Sequence, residues 1–256
     1  MEAPDFSADL YRDVTGFAEG TPSWVHTTAE VGTDAGLLLF AVLFVAGWWR
    51  ARGRDARSMG LALAAPFGVV AAYLVSEVSK TFIEEERPCR AVQGAVHIAA
   101  CPSSGDWSFP SNHATIAAAS AAVIVVAWRS TAALVLPLAV LMAFSRVFVG
   151  VHYPHDVAAG FVLGVVAGPV AAVVLVAALR PLVESLRGVS VGAALLGPRP
   201  VAGAGVPGAD AARSMVPGPR GQVDPLPGPV GGPVDEASVT MPDVMGGVTR
   251  RQGPLP

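Results

Sequence analysis

Residues 131–179 read TAALVLPLAVLMAFSRVFVGVHYPHDVAAGFVLGVVAGPVAAVVLVAAL. They contain two apolar runs, 131–148 and 157–179, and each is close to the ~20 residues that a membrane-spanning helix needs. Four ionisable side chains lie where the two runs meet: Arg146, His152, His155 and Asp156. Two apolar runs joined by a short turn predict a helical hairpin in a membrane, with these side chains at one end of it.

The rest of the chain repeats this apolar pattern. Of its 256 residues, 52% are hydrophobic and only 14% are charged, which is typical of an integral membrane protein. Apolar runs at 31–49, 58–79 and 109–129 predict three more spanning helices, the first of which includes Asp34. We therefore predict an all-α, polytopic membrane helix bundle with about five transmembrane helices, occupying residues 31–187. The net charge of -3 offers no basic surface, which argues against a nucleic-acid partner.

The two ends of the chain differ from this bundle. Within residues 1–30, apolar side chains recur at helical spacing among acidic residues: Phe6, Leu10, Val14 and Phe17. This spacing predicts a short interfacial helix on the outer leaflet, with a plain surface helix as the alternative. The acidic N-terminus lacks the basic region of a cleavable signal peptide, so we expect none. Residues 188–256 are rich in proline and glycine without a triplet period, which predicts a disordered cytoplasmic tail.

Arginine placement predicts the orientation of the bundle. Four arginines fill the linker after the first span: Arg50, Arg52, Arg54 and Arg57. By the positive-inside rule this linker is cytoplasmic, and counting spans from it puts Arg129 and Arg180 on the same side. The N-terminus, residues 80–110 and the turn 150–153 are then outside, whereas the C-terminus is cytoplasmic.

Both cysteines, Cys89 and Cys101, fall in the outer segment 80–110. An exported segment lies in an oxidising environment, which favours a disulfide over two free thiols, although both remain open. A disulfide closing so short a ring would contribute about 3 kcal/mol in the chain-entropy model.

Ionisable side chains gather at the outer end of the predicted bundle: Lys80, Arg87, His113, Arg146, His152 and Asp156. Charges at membrane depth are costly and usually belong to a functional site. Three cations and two histidines indicate a site for a highly charged anion. The first amides of the third span, at Ser111, Asn112 and His113, are predicted to point unpaired toward the same site, where a helix N-terminus binds phosphate.

Two further features concern the histidines and the acidic residues. Asp156 follows His152 by four residues, so we expect it to accept the ring N–H and fix the tautomer. The set contains no metal-ligand spacing, and the acidic run at residues 84–86 is interpreted as a solvated loop, so no metal is predicted. His155 is interpreted as a helix-dipole or interface residue.

Three ordered motifs carry a resemblance to a known family. KTFIEEERP at 80–88 reads as K-x6-R-P, PSNH at 110–113 is close to P-S-G-H, and SRVFVGVHYPHD at 145–156 reads as S-R-x5-H-x3-D. Together they resemble the three-part signature of the type 2 phosphatidic acid phosphatase (PAP2) superfamily, over roughly residues 35–179. Asn112 stands where the signature has glycine. Asparagine keeps the backbone amide, and its side chain offers a further donor.

The resemblance implies a phosphatase that needs no metal or other cofactor. His152 would be the nucleophile of a phosphohistidine mechanism, Asp156 would orient it, and His113 would act as general acid and base. The phosphate would be held by Lys80, Arg87, Ser111, Asn112 and Arg146.

The substrate implied by the resemblance is a lipid phosphate in the membrane. The chain looks most like bacterial undecaprenyl-diphosphate phosphatases of the plasma membrane, which form the polyprenyl monophosphate used in cell-wall synthesis. Hydrolysis of phosphatidic acid or phosphatidylglycerophosphate is the enzymatic alternative, and a lipid-binding or transport module is the non-enzymatic one. The sequence does not set the oligomeric state.

Overall fold

The computed structural model describes residues 3–198, and this part of the chain is helical without any β-strand. The helices are α1 (Asp5–Glu19), α2 (Ser23–Ala51), α3 (Ala56–Ile83), α4 (Pro88–Ala91), α5 (Asn112–Ala127), α6 (Ala132–Phe148), α7 (Pro154–Leu186) and α8 (Ser190–Leu196). A 3-10 turn at Arg129–Thr131 joins α5 to α6. The prediction of an all-α membrane bundle is confirmed.

Within residues 3–198, four helical segments are long and apolar enough to cross a membrane: Ser23–Ala51, Ala56–Ala91, Arg129–Phe148 and Pro154–Leu186. The third predicted span, 109–129, is shorter than expected. Helix α5 covers only Asn112–Ala127, about 24 Å at 1.5 Å per residue, against the ~30 Å of a hydrocarbon core. Instead of facing lipid along its length, α5 contacts α2, α3, α6 and α7, and most of its alanines are buried. It is therefore the central helix of the bundle.

Helix α1 packs on the bundle through small and polar side chains: Ser7, Tyr11, Thr15 and Ala18. The Tyr11 hydroxyl donates a hydrogen bond of 3.0 Å to the Gly150 carbonyl, which ties α1 to the turn before α7. Phe6 and Phe17 are each 70% exposed on the opposite face. An apolar face left free on a docked helix supports the predicted interfacial role, which stays a prediction. The predicted boundary near residue 30 is too late, because α2 begins at Ser23.

The predicted cytoplasmic arginines lie together at the end of the bundle opposite α1, which we call the arginine end. The Arg50 guanidinium lies over the Trp128 ring at 4.9 Å, and Arg187 donates a 2.8 Å hydrogen bond to the Arg54 carbonyl. Helix α8 also lies here, inside the predicted tail, where Leu196 packs in one cluster with Ala51, Met59 and Val183. The first residues of the predicted tail are therefore helical, and residues 199–256 lie outside the described part.

Helix α7 approaches α5 through glycines spaced four residues apart, which lie on one face of a helix. A Cβ atom at Gly160 would lie 2.4 Å from the Ser111 carbonyl oxygen, and one at Gly164 would lie 2.3 Å from the Thr115 carbonyl oxygen. Small residues of this kind let two membrane helices bring their backbones together. The contact brings the N-terminus of α5 against the start of α7, where the ionisable residues lie.

We expect Gly164→Ala to destabilise the bundle, because its methyl group would overlap the Thr115 carbonyl of α5. Overpacking of this kind costs about 1–3 kcal/mol. The measurement is the thermal unfolding midpoint of the purified protein in detergent. Gly32→Ala is the matched control, since a Cβ atom there has no neighbour within 4 Å. Equal midpoints for the two variants would contradict the close approach of α5 and α7.

Candidate active site

The predicted site residues come from four parts of the fold that meet at the end of the bundle near α1. Lys80 lies in the last turn of α3, and Arg87 follows that helix. Ser111 and His113 lie at the start of α5, whereas Arg146 lies in the last turn of α6. The turn after α6 and the first turn of α7 supply the remaining residues, His152 and Asp156.

His152 and Asp156 form a buried pair at the start of α7. The Nδ1 atom of His152 lies 3.3 Å from Asp156 Oδ2, and both side chains are almost fully buried. The same carboxylate oxygen accepts hydrogen bonds from the Ser108 hydroxyl and from the Tyr153 backbone amide. This network assigns the imidazole proton to Nδ1 and leaves the Nε2 lone pair directed away from Asp156.

Arg87 contacts the other nitrogen of His152. Its Nη1 atom lies 2.9 Å from His152 Nε2 and also donates to the Val151 carbonyl at 3.0 Å. Burial, aided by the charge of Arg87 and opposed by the hydrogen bond to Asp156, lowers the pKa of His152 to about 4. The imidazole is therefore neutral at pH 7, as a nucleophile must be.

Lys80 and Arg87 share a carboxylate that the sequence analysis did not single out. Lys80 Nζ lies 3.3 Å from Asp106 Oδ1, and Arg87 Nη2 lies 2.9 Å from the same oxygen. Burial by itself would raise the pKa of Asp106, but the hydrogen bonds and charges of Arg87 and Lys80 hold it below its usual value. No motif spacing marks Asp106, because only the folded loop brings it to the two cations.

Two predicted phosphate-binding side chains have buried atoms without a hydrogen-bond partner within residues 3–198. These atoms are the Ser111 hydroxyl oxygen and the Nε of Arg146. Ser111 occupies the N-cap position of α5, yet its side chain does not cap the helix. A buried polar group without a partner is destabilising. Both residues therefore suit an anion that would accept hydrogen bonds from them.

One expectation about the start of α5 is wrong, and a second concerns a side chain that already has partners. The Ser111 amide is not free, because it donates a 3.0 Å hydrogen bond to the Asp156 carbonyl. The Asn112 side chain is partly engaged, because its oxygen accepts from Ser76 and one of its two N–H groups donates to Glu77. Only the backbone amides of Asn112 and His113 remain, in the first turn of the helix, where amides have no intrahelical acceptor.

His113 lies in the first turn of α5, and its side chain is one-third exposed. Its Nε2 atom lies 3.7 Å from Oδ1 of Asp34. Asp34, the acidic residue within the first predicted span, is therefore next to a predicted site residue. The charges of Arg146 and Arg87 act on His113 as well as on His152. The two histidines therefore share one electrostatic environment.

His155 is more closely tied to the site than the sequence analysis expected. Its Nε2 atom lies 3.0 Å from Glu85 Oε1 and 3.3 Å from Asp156 Oδ1, whereas its Nδ1 atom lies 2.7 Å from the Ser7 hydroxyl. Its ring stacks on Phe109 and Tyr153. Glu85 is 2% exposed, so the prediction of a solvated acidic loop is wrong for this residue.

Glu85, His155 and Asp156 also have the composition of a metal site. Their ligand atoms lie within 4.8 Å of one another, and two carboxylates with a histidine are ligands that divalent metals accept. The contacts between nitrogen and oxygen equally fit an ion pair between an imidazolium and two carboxylates. No metal was predicted from the sequence. Removal of metal by a chelator distinguishes a metal site from an ion pair.

Cys89 and Cys101 are joined by a disulfide, as the oxidising environment favoured. The bridge lies in the segment between α3 and α5, after Arg87 and before Asp106. It closes the loop whose two ends carry these charged residues. The disulfide therefore limits how far the loop can open.

A family comparison identifies the domain that carries this site. Residues 60–180 match the family model described as PAP2 superfamily. This part of the chain is a PAP2 domain. The match spans all three motifs, so the predicted family resemblance is confirmed.

Curated relatives resemble the PAP2 domain over part of their length. An undecaprenyl-diphosphatase from Sulfolobus acidocaldarius is 36% identical over 111 residues, which are 42% of this chain and 51% of the relative. A decaprenylphosphoryl-5-phosphoribose phosphatase from Mycobacterium tuberculosis is 36% identical over 112 residues, which are 42% of this chain and 58% of the relative. The chain thus spans little more than half the length of the relatives it matches.

The fold also has a counterpart among solved structures. The crystal structure of LpxE from Aquifex aeolicus superposes with a TM-score of 0.53 and 21% sequence identity, covering 67% of this chain and 97% of that one. At this identity the similarity supports the fold alone. The PAP2 domain and its helical surroundings therefore share the arrangement of that structure.

We expect His152 to stay neutral in the folded protein down to about pH 4, because burial disfavours the imidazolium. Nitrogen NMR of histidine-labelled protein in detergent would follow its titration. Asp156→Asn should lower this pKa further, because it removes the acceptor that favours the protonated ring. Titration near the ordinary value of 6.5 would contradict the buried position of His152.

Proposed function

We propose that this protein is an integral membrane lipid phosphatase that hydrolyses a polyprenyl diphosphate to the monophosphate through a phosphohistidine intermediate. The observation that carries the proposal is the pairing of His152 with Asp156 beside two buried, unpartnered groups, the Ser111 hydroxyl and the Arg146 Nε. A neutral nucleophile with oriented donors for an anion is the arrangement that phosphoryl transfer requires.

His152 is the proposed nucleophile. Its Nε2 atom attacks the terminal phosphorus, a nitrogen–phosphorus bond forms, and the bond from phosphorus to the bridging oxygen breaks. Asp156 accepts a hydrogen bond from the Nδ1–H group of His152 and stabilises the positive charge that the ring gains on phosphorylation. In the structure, Arg87 Nη1 donates a hydrogen bond to Nε2. We infer that this N–H group donates to a phosphate oxygen instead when the substrate binds, which frees Nε2 for attack.

His113 is the proposed general acid and base. It protonates the departing oxygen in the first step, and it takes a proton from the water that hydrolyses the phosphohistidine in the second. Asp34, 3.7 Å from its Nε2 atom, is suited to orient the ring. His113 therefore acts on the face of the phosphorus opposite to His152 during the first step.

The remaining predicted residues stabilise the charge on the transferred phosphoryl group. Lys80, Arg87 and Arg146 supply three positive charges, and the Ser111 hydroxyl supplies a neutral donor. Preorganised donors of this kind act most strongly in a site with little water. They can do the work that a divalent ion does in other phosphoryl-transfer enzymes, so the proposed reaction needs no metal.

A lipid substrate is supported by the surroundings of the site. An apolar groove of about 380 Å³ runs between α2 and α6, with Trp24, Leu141 and Phe144 among its lining residues. The groove also reaches Thr33 and Ser145, which precede the site residues Asp34 and Arg146 in the sequence. A chain of apolar atoms attached to a phosphate would have its head group at the site and its tail in this groove.

The class of lipid rests on the relatives. One bears the name of an undecaprenyl-diphosphatase, which supports a polyprenyl diphosphate as substrate. The other is named for a decaprenylphosphoryl-5-phosphoribose, so a phosphomonoester is the second candidate class. Phosphatidic acid and phosphatidylglycerophosphate belong to that class. We propose further that the site faces outward in a bacterial plasma membrane, because the arginine end lies opposite to it.

We expect His152→Ala and His113→Ala to reduce phosphate release by at least about a hundredfold, the usual scale of a lost acid–base or nucleophilic group. The measurement is phosphate release in detergent from undecaprenyl diphosphate, phosphatidic acid and phosphatidylglycerophosphate in parallel, with the diphosphate hydrolysed fastest by the parent protein. His26→Gln is the control, because the His26 ring hydrogen-bonds to the Ala18 carbonyl of α1 and has no role in the proposed reaction. Near-normal turnover by either alanine variant would contradict the role proposed for that histidine.

We expect EDTA to leave phosphate release unchanged, because fixed cationic side chains stabilise the transferred group. The assay compares chelated protein before and after Zn²⁺ and Mg²⁺ are added back. A different result would assign a metal to Glu85, His155 and Asp156: EDTA abolishes turnover, and Zn²⁺ restores it in the parent protein but not in Glu85→Gln.

A further inference from the structure

Asp106 contacts two cations that are predicted to bind phosphate. Its Oδ1 atom lies 3.3 Å from Lys80 Nζ and 2.9 Å from Arg87 Nη2. Both cations are buried to more than nine-tenths, whereas the Asp106 side chain is 44% exposed. The carboxylate therefore reaches the cations from the solvent side, by which a ligand head group would also enter.

Four of the five N–H donors of Arg87 are engaged in this arrangement. Its Nε donates to the Asp106 carbonyl, Nη1 to the Val151 carbonyl and to His152, and Nη2 to the Asp106 carboxylate. A phosphate that takes two parallel N–H donors from Arg87 therefore has to displace one of the present partners. The carboxylate of Asp106 is the exposed partner and so the one that solvent can take over.

Two other predicted phosphate-binding residues are unsatisfied. The Ser111 hydroxyl and the Arg146 Nε are buried without hydrogen-bond partners within the described residues. The Asp106 carboxylate contacts both Lys80 and Arg87. Lys80 has Glu77 as a second partner at 3.5 Å, whereas Ser111 and Arg146 are left without an acceptor. A tetrahedral phosphate has enough oxygens to satisfy both pairs of residues at once.

We propose that Asp106 is an exchangeable anion of the phosphate site. Its carboxylate holds Lys80 and Arg87 while the site is empty, gives way to the substrate phosphate, and returns when inorganic phosphate leaves. This proposal rests on one part of the proposed function, namely that the site binds phosphate. Asp106 is then a residue of the binding site that no motif marks, and its charge opposes the retention of product.

The charge balance of the site explains why such a residue is useful. Three cations around a dianionic product would hold it tightly, and slow product release limits turnover in many enzymes. A carboxylate that competes for two of these cations weakens the binding of every phosphate species by the same exchange. The low pKa of Asp106 keeps it ionised for this purpose at neutral pH.

The test is the binding of inorganic phosphate to the full-length protein in detergent, measured by calorimetry and as product inhibition of lipid turnover. Asp106→Asn keeps the shape and removes the charge, so we expect phosphate to bind about five- to tenfold more tightly, equivalent to roughly 1 kcal/mol. Asp106→Ala should act in the same direction. Turnover should become more sensitive to added phosphate, and both KM and kcat should fall, because substrate and product phosphate are both held more tightly.

The control is Asp13→Asn, which removes the same charge from the exposed face of α1 and should leave phosphate binding unchanged. Elution volume and thermal midpoint in detergent establish that each variant is folded. Weaker or unchanged phosphate binding in both Asp106 variants overturns the proposal, because an anchor that merely positions Arg87 would weaken binding when removed. Failure of the parent protein to bind phosphate overturns it too, and lipid turnover in the same preparation reports separately on the proposed function.

Discussion

The close approach of α5 and α7 is the contact on which the site depends. Gly160 leaves room for the Ser111 carbonyl, and this contact lets the Ser111 amide donate to the Asp156 carbonyl at 3.0 Å. The first turns of the two helices are thereby joined backbone to backbone. His152 precedes one turn and His113 lies in the other, so their relative position is set by rigid helix ends instead of by flexible loops.

Asp156 connects this helix contact to the proposed nucleophile. Its side chain accepts from Ser108, from the Tyr153 amide and from His152, so a single buried carboxylate fixes the end of the loop before α5, the cap of α7 and the imidazole. Its second oxygen faces His155, which in turn contacts Ser7 of α1. The N-terminal helix is thereby connected to the PAP2 domain through the same acid that orients the proposed nucleophile.

Burial separates the charged groups into two kinds. The side chains of Lys80 and Arg87 are buried, whereas the Asp106 carboxylate that contacts both of them is 44% exposed. The disulfide between Cys89 and Cys101 limits the movement of the loop that separates Arg87 from Asp106. In the proposed exchange of anions, only the Asp106 side chain and the short loop that carries it need to move. The helices of the bundle stay in place.

The sequence by itself determined the membrane bundle, the arginine end and the three motifs, because apolar length, charge placement and motif spacing are local properties of a chain. It overestimated α5 because an alanine-rich helix buried among four others has the composition of a lipid-facing span. Only the tertiary structure decided that Asp106 joins Lys80 to Arg87 and that Asn112 turns toward α3. It also decided that Glu85 is buried beside His155. These contacts join residues from different segments, so no spacing along the chain encodes them.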